Sequence, residues 1–187
     1  IQSHETEISI FNRDKNFTKL VHQSIVAAFQ PHTDVLLQQY KAVMGNMVYK
    51  KPHETKDFHL HQDWRFSDET KYIGITIWCP LVDTNIENGT LYVVEKSHLF
   101  QKNTFRGVNI GDASNHISNY IKSYFGTPIS LKAGQSVIMN TQLYHFSPPN
   151  CSDKARPATL LTMIPQEATM FLYYRQAKQT AAINKIL

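Results

Sequence analysis

Phe58-His59-Leu60-His61-Gln62-Asp63 is the stretch on which the reading of this chain turns. Side chains two residues apart on a strand point to the same face, so a strand here sets the imidazole of His61 beside the carboxylate of Asp63. Two ligands of a metal site are then preplaced, and a further histidine completes the 2-His-1-carboxylate triad that holds iron(II) with positions left open for co-substrate and oxygen. A His-x-Asp triplet alone is weak evidence, because so short a pattern arises by chance. It gains weight from a second stretch, Tyr144-His145-Phe146-Ser147-Pro148-Pro149-Asn150, in which His145 is followed by Ser147 and, eleven residues after the histidine, by Arg156. A five-carbon dicarboxylate that chelates a metal through one end leaves its far carboxylate in a pocket. An arginine fork pairs with both oxygens of such a group, and a serine hydroxyl adds a hydrogen bond.

Strand patterns surround both stretches. They begin at Ala42 (AVMGNMVYK), Asp57 (DFHLHQD), Tyr72 (YIGITIW), Thr90 (TLYVVE), Ser136 (SVIMN) and Ala158 (ATLLTMI). These runs are rich in β-branched and aromatic residues and are separated by Gly, Pro, Asn and Asp. Asn88-Gly89 reads as a tight turn between two of them, and the LKAGQ segment around Gly134 as a weaker one. Helical spacing of Leu20, Val21, Ile25, Ala28 and Phe29 predicts an amphipathic helix over 17–30 that Pro31 stops, with a second short helix capped by Thr33. A further helix is expected over 115–126, ending on a left-handed Gly126. Many strands with a few outer helices predict a mainly β sandwich or barrel of the jelly-roll kind.

In this order and spacing the chain resembles the phytanoyl-CoA dioxygenase family of iron(II)- and 2-oxoglutarate-dependent oxygenases, from about Tyr40 to Ile164. LHQDW is similar to the family's His-x-Asp strand. WCPLVDTNIENGTLYVVEKSHLF carries Trp78, Asp83, the Asn88-Gly89 turn and Ser97-His98 in the family's arrangement, and ISLKAGQSVIMNTQLYHFSPPNCSDKARPATLL supplies Gly134, His145, Ser147, Asn150 and Arg156. The resemblance implies a double-stranded β-helix, a cupin-like jelly roll with flanking α-helices. It also implies iron(II) held by His61, Asp63 and His145, and 2-oxoglutarate gripped by Arg156 and Ser147. Tyr49, Lys51 and Trp78 are further expected contacts of the co-substrate. The implied reaction consumes O2 and 2-oxoglutarate, releases succinate and carbon dioxide, and hydroxylates or desaturates a small-molecule substrate. The sequence departs from the family where Glu95-Lys96 replaces the usual Pro-Gly before Ser97-His98, and where Phe146 follows the distal histidine in place of glycine. The chain is also short for the family.

Composition limits the alternatives. At 187 residues, 42% hydrophobic and 18% charged, the chain is expected to form one folded domain over 1–187. The first residues, IQSHETE, lack an initiator Met and the pattern of a signal peptide, so the N-terminus is expected to be truncated. Residues 165–187 are expected to form a closing helix or lid. The net charge of +4 is scattered, with Lys50-Lys51 the only adjacent pair, which argues against a nucleic-acid partner. No apolar run reaches the ~20 residues of a membrane span. Two cysteines without a disulfide pattern point to a reducing, cytoplasmic setting. Oligomeric state is left open. His59-x-His61 also begins a cupin-type metal motif, but Arg65 and Phe66 stand where its glutamate belongs, so His59 is expected beside the site rather than in it. Asp63 argues against a halogenase, which has a small residue there. A non-catalytic or non-2-oxoglutarate metal-binding module of the same fold remains the alternative function.

Overall fold

The computed structural model describes residues 7–100, 104–110, 115–175 and 183–186. Strands β1 (Glu7–Ile8), β2 (Tyr40–Lys50), β4 (Ile75–Pro80), β8 (Val137–Asn140) and β10 (Arg156–Pro165) form an antiparallel sheet in the order β1-β2-β10-β4-β8. A second antiparallel sheet runs β3-β9-β5-β7, from β3 (Phe58–His61), β9 (His145–Ser147), β5 (Leu91–Val94) and β7 (Gly126–Ile129). Trp78, Leu91, Val93, Met139 and Ala158 pack together from strands of both sheets and join them in the jelly roll, or double-stranded β-helix, that the sequence predicts. A small third sheet joins β6 (Gly107–Val108), β11 (Leu172–Arg175) and β12 (Ile183–Ile186).

The six predicted strands all form, with ends shifted by a few residues. β4 lies between β10 and β8 and is buried along its whole length. That placement accounts for a sequence, ITIWCP, without polar alternation. Its residues still divide between faces. Ile75 and Ile77 pack with Ile25, Leu161 and Met163 under the helix α1 (Lys15–Leu36), while Trp78 turns inward toward the second sheet. Gly45 on β2 lets the helix approach, since a Cβ there would stand 2.9 Å from the His22 carbonyl oxygen.

Several local expectations are corrected. Helix α1 runs through Pro31 and absorbs the predicted second helix, and the Thr33 hydroxyl donates to the Gln30 carbonyl inside it rather than capping a new one. Proline removes the hydrogen bond to residue 27, but Ala27 and Pro31 lie on the exposed flank, where water can serve that carbonyl. Asp14 caps the start by accepting from the Asn16 and Phe17 amides. The Asn88-Gly89 turn is no hairpin, because β4 and β5 belong to different sheets; Gly89 nevertheless needs its positive φ of 72°. The third helix is a 3-10 turn at Asn115–Ile117 followed by α2 (Ser118–Phe125). Gly126 is extended, not left-handed, with φ of −75°, and its missing side chain leaves space for the Phe146 ring. In the segment 165–187, expected to form a closing helix or lid, the described residues hold the strands β11 and β12 rather than a helix, and 176–182 and 187 lie outside the described residues. Among the described residues no helix is long and apolar enough to cross a membrane.

Candidate metal centre

β3 and β9 pair with His61 opposite His145, which sets the two imidazole centroids 4.2 Å apart. In both rings Nδ1 is tied to a carbonyl two residues earlier: His61 to His59 at 2.8 Å and His145 to Leu143 at 2.9 Å. A carbonyl only accepts, so Nδ1 carries the proton and Nε2 keeps its lone pair for the site. Asp63 lies beyond the end of β3. Its Oδ1 is 3.7 Å from His145 Nε2, and its Oδ2 is buried without a hydrogen-bond partner among the described residues. One ligand atom from each of the three lies within 4.8 Å of the others. Two imidazole nitrogens and a carboxylate with a desolvated, unpartnered oxygen suit a divalent cation. Burial, then the neighbouring His145, push the His61 pKa well below its usual value, which keeps the ring neutral, as a metal ligand must be.

These residues line a cavity of about 640 Å³ whose lining also includes Arg156, Ser147 and Trp78. Arg156 enters β10 opposite Lys50 and is only 1% exposed. Its Nη2 donates to Ser147 Oγ at 3.3 Å, its guanidinium carbon lies 5.8 Å from the Trp78 ring centre, and Nε and Nη1 have no hydrogen-bond partner among the described residues. Burial lowers the guanidinium to about 10, so it remains charged at neutral pH. The Ser147 hydroxyl donates to the Gly89 carbonyl at 2.7 Å, and the same oxygen accepts from Arg156. In this arrangement Ser147 orients the arginine; its own proton is engaged elsewhere.

Tyr49 and Lys51, which the sequence expectation brings to the co-substrate, are not among the residues that line this cavity. Alternate residues of β2, Met44, Asn46 and Val48, face it instead. Lys51 pairs with Glu7 at 2.8 Å, both half-exposed or more. Lys50, on the inward parity, is the buried one: it is fully enclosed, and its ammonium donates to the Ser147 and Pro148 carbonyls. Burial, then the nearby Arg156, lower it to about 8. Of the aromatics near the ligands in sequence, Trp64 and Phe146 line the cavity, whereas Phe66 and Tyr144 pack in core clusters. His59 lines the cavity beside Phe58, at a ring separation of 5.5 Å. Sequence reasoning missed Glu69, Arg106 and Thr141, a buried polar group beside Asp63. Nothing local marks it, because its members lie far apart in the chain.

The family description "Phytanoyl-CoA dioxygenase (PhyH)" matches residues 2–158. The chain is 29% identical over 133 residues, 66% of its length, to a protein of Dictyostelium discoideum named phytanoyl-CoA dioxygenase domain-containing protein 1 homolog, and spans 47% of that relative. Among solved structures it is similar to EvdO2 from Micromonospora carbonacea var. aurantiaca complexed with 2-oxoglutarate, with a TM-score of 0.59 and 18% identity, covering 86% of this chain and 66% of that one. It is also similar to SnoK, described as a non-heme alpha ketoglutarate dependent carbocyclase from nogalamycin biosynthesis, with a TM-score of 0.61 and 17% identity, covering 88% and 64%. At these identities the structural likeness is one of fold.

Proposed function

Because this chain belongs to the phytanoyl-CoA dioxygenase family, we propose that it is a non-haem iron(II)- and 2-oxoglutarate-dependent dioxygenase that hydroxylates or desaturates a small-molecule substrate. The observation that carries this reading is the sharing of one cavity by a His-Asp-His donor set and a buried arginine, two of whose donors have no hydrogen-bond partner among the described residues. His61, Asp63 and His145 would hold the iron. Once bound, the metal supplies oxygen activation coupled to oxidative decarboxylation of 2-oxoglutarate to succinate and carbon dioxide.

The chain's own residues do the rest by placement. The Nδ1 hydrogen bonds to His59 and Leu143 aim both imidazoles, so no ring has to turn when the metal arrives. Arg156 has Nε and Nη1 available for the remote carboxylate of the co-substrate, and its contact with Ser147 Oγ fixes the direction of the fork. Trp78 backs the guanidinium and keeps water from that side. Ile10, Phe11, Trp64 and Phe146 give the cavity an apolar wall that seats the substrate near the metal and limits solvent there. A carbocyclase among the similar folds shows that this architecture supports more than one oxidative outcome, so the product decides between hydroxylation and desaturation.

The test is to incubate iron-loaded protein with 2-oxoglutarate, isotopically heavy O2 and a metabolite extract. Mass spectrometry should find succinate together with an ion that gains one heavy oxygen atom, or loses two hydrogens. Absence of succinate from protein with its metal site filled by iron contradicts the proposal.

A further inference from the structure

Asp63 is held differently from the two histidines. His61 and His145 face each other in paired strands, whereas Asp63 follows the end of β3 and has no ladder partner. Its peptide is fixed instead by two long-range hydrogen bonds. The Asp63 amide donates to the Thr141 carbonyl at 3.0 Å, and the Asp63 carbonyl accepts from Arg106 Nε at 2.7 Å.

Both partners converge on one carboxylate. Glu69 Oε1 accepts from Arg106 Nη2 at 2.6 Å and from Thr141 Oγ1 at 2.9 Å, and Oε2 lies 2.8 Å from the same Nη2. The Glu69 side chain is 1% exposed and that of Arg106 6%. The remaining reach of Arg106 goes to Thr104 Oγ1 at 2.9 Å, and that hydroxyl donates to Gln62 Oε1 at 3.1 Å, so the residue before Asp63 is held from the same side. Glu69 is not one of the three clustered metal-ligand candidates.

We propose that the Glu69–Arg106 pair is the positioning device for the metal carboxylate, with Glu69 aiming the two groups that grip the Asp63 peptide. The inference rests on the iron reading above. A buried ion pair is a poor stabiliser, because desolvation cancels much of the attraction, and apolar residues of similar volume commonly replace one without loss. What the pair adds here is direction: a planar guanidinium locked at one edge by Glu69 can present Nε to the Asp63 carbonyl in only one orientation. A ligand outside the sheet depends on such support, and loss of outer contacts of this kind typically weakens metal binding by about 10- to 100-fold.

The test uses the full chain and cobalt(II), whose visible d–d absorption reports coordination geometry, alongside thermal melts of the metal-free protein. Arg106→Lys keeps the charge opposite Glu69 but cannot also reach Asp63. The double variant Glu69→Leu with Arg106→Met removes both charges, and Arg65, which lies 3.9 Å from Glu69 Oε2, keeps its contacts with the Ser67 carbonyl and Asp68. Both variants should bind cobalt(II) about 10- to 100-fold more weakly with an altered spectrum, and the metal-free double variant should melt close to wild type. Wild-type affinity and spectrum in either folded variant overturn the inference. Failure of both variants to fold assigns the pair to the core and overturns it as well. If the wild-type chain takes up no cobalt(II), the metal-site reading itself fails, and this inference falls with it.

Discussion

Replacing Arg156 with alanine isolates the feature that distinguishes a 2-oxoglutarate site from other metal-binding jelly rolls. The guanidinium is 1% exposed, is charged at neutral pH, and leaves Nε and Nη1 available for a ligand. Two hydrogen bonds to a carboxylate, at about 1.5 to 3 kcal/mol each, put the loss at about 3 to 6 kcal/mol. Truncating one partner of a buried charge pair costs about 2 to 5 kcal/mol. The overlap, about 3 to 5 kcal/mol, corresponds to a roughly 150- to 5,000-fold weaker Kd for 2-oxoglutarate. Iron affinity should hardly change, because Arg156 is not among the three clustered ligand candidates. Arg156→Lys should recover only part of the loss, since an ammonium cannot reproduce the fork. The assay is an anaerobic titration of the metal-to-ligand charge-transfer band of the iron-loaded protein with 2-oxoglutarate, in wild type and both variants. Unchanged affinity in Arg156→Ala refutes the placement of the far carboxylate at this arginine.

Asp63→Ala should abolish metal binding and turnover while leaving the metal-free melting temperature near wild type, because it deletes a buried oxygen that has no hydrogen-bond partner among the described residues; metal analysis and circular dichroism check this, and loss of folding would point to a structural role. Lys50 carries a pH signature. Its folded value of about 8 lies below its ordinary 10.5, so the cost of burying its charge is fully present below pH 8 and is relieved as pH rises toward 10.5. Between pH 7 and 9.5, wild type should therefore gain about 1 to 2 kcal/mol on Lys50→Met in urea unfolding, and parallel pH profiles would contradict it. Gly89→Ala should cost about 2 kcal/mol or more, because φ is +72° and a Cβ would stand 2.6 Å from the Pro148 carbonyl oxygen. Gly134→Ala, with a positive φ but open space around it, should cost less in the same thermal melts.

Much of this arrangement was legible in the sequence because it follows the two-residue repeat of a strand. The spacing from His145 to Ser147 along β9, and the runs that became β2, β4, β5, β8 and β10, are local patterns that burial reinforces. Arg156 was legible through its spacing from His145, although its inward parity on β10 is what brings it into the cavity. Where the same reasoning failed, tertiary context decided. On β2 the cavity-facing parity belongs to Met44, Asn46 and Val48, so Lys50 is enclosed while Lys51, just past the strand, is exposed. Pro31 reads as a helix stop, but its exposed flank tolerates the missing hydrogen bond. Asp63 does cluster with His61 and His145, but not through the strand alternation that suggested it: it lies past the strand, held by Thr141 and Arg106. Glu69 and Arg106 meet across 37 residues, and no periodicity announces such a pair.

The central claim is that His61, Asp63 and His145 hold iron(II) with adjacent positions free for chelation by 2-oxoglutarate. It is tested most directly by titrating the anaerobic protein with iron(II) and then with 2-oxoglutarate under a visible spectrometer. One iron should bind per chain, and a weak metal-to-ligand charge-transfer band should appear only when both are present and be lost in Asp63→Ala. Tight retention of zinc, with no such band after iron loading, would contradict it.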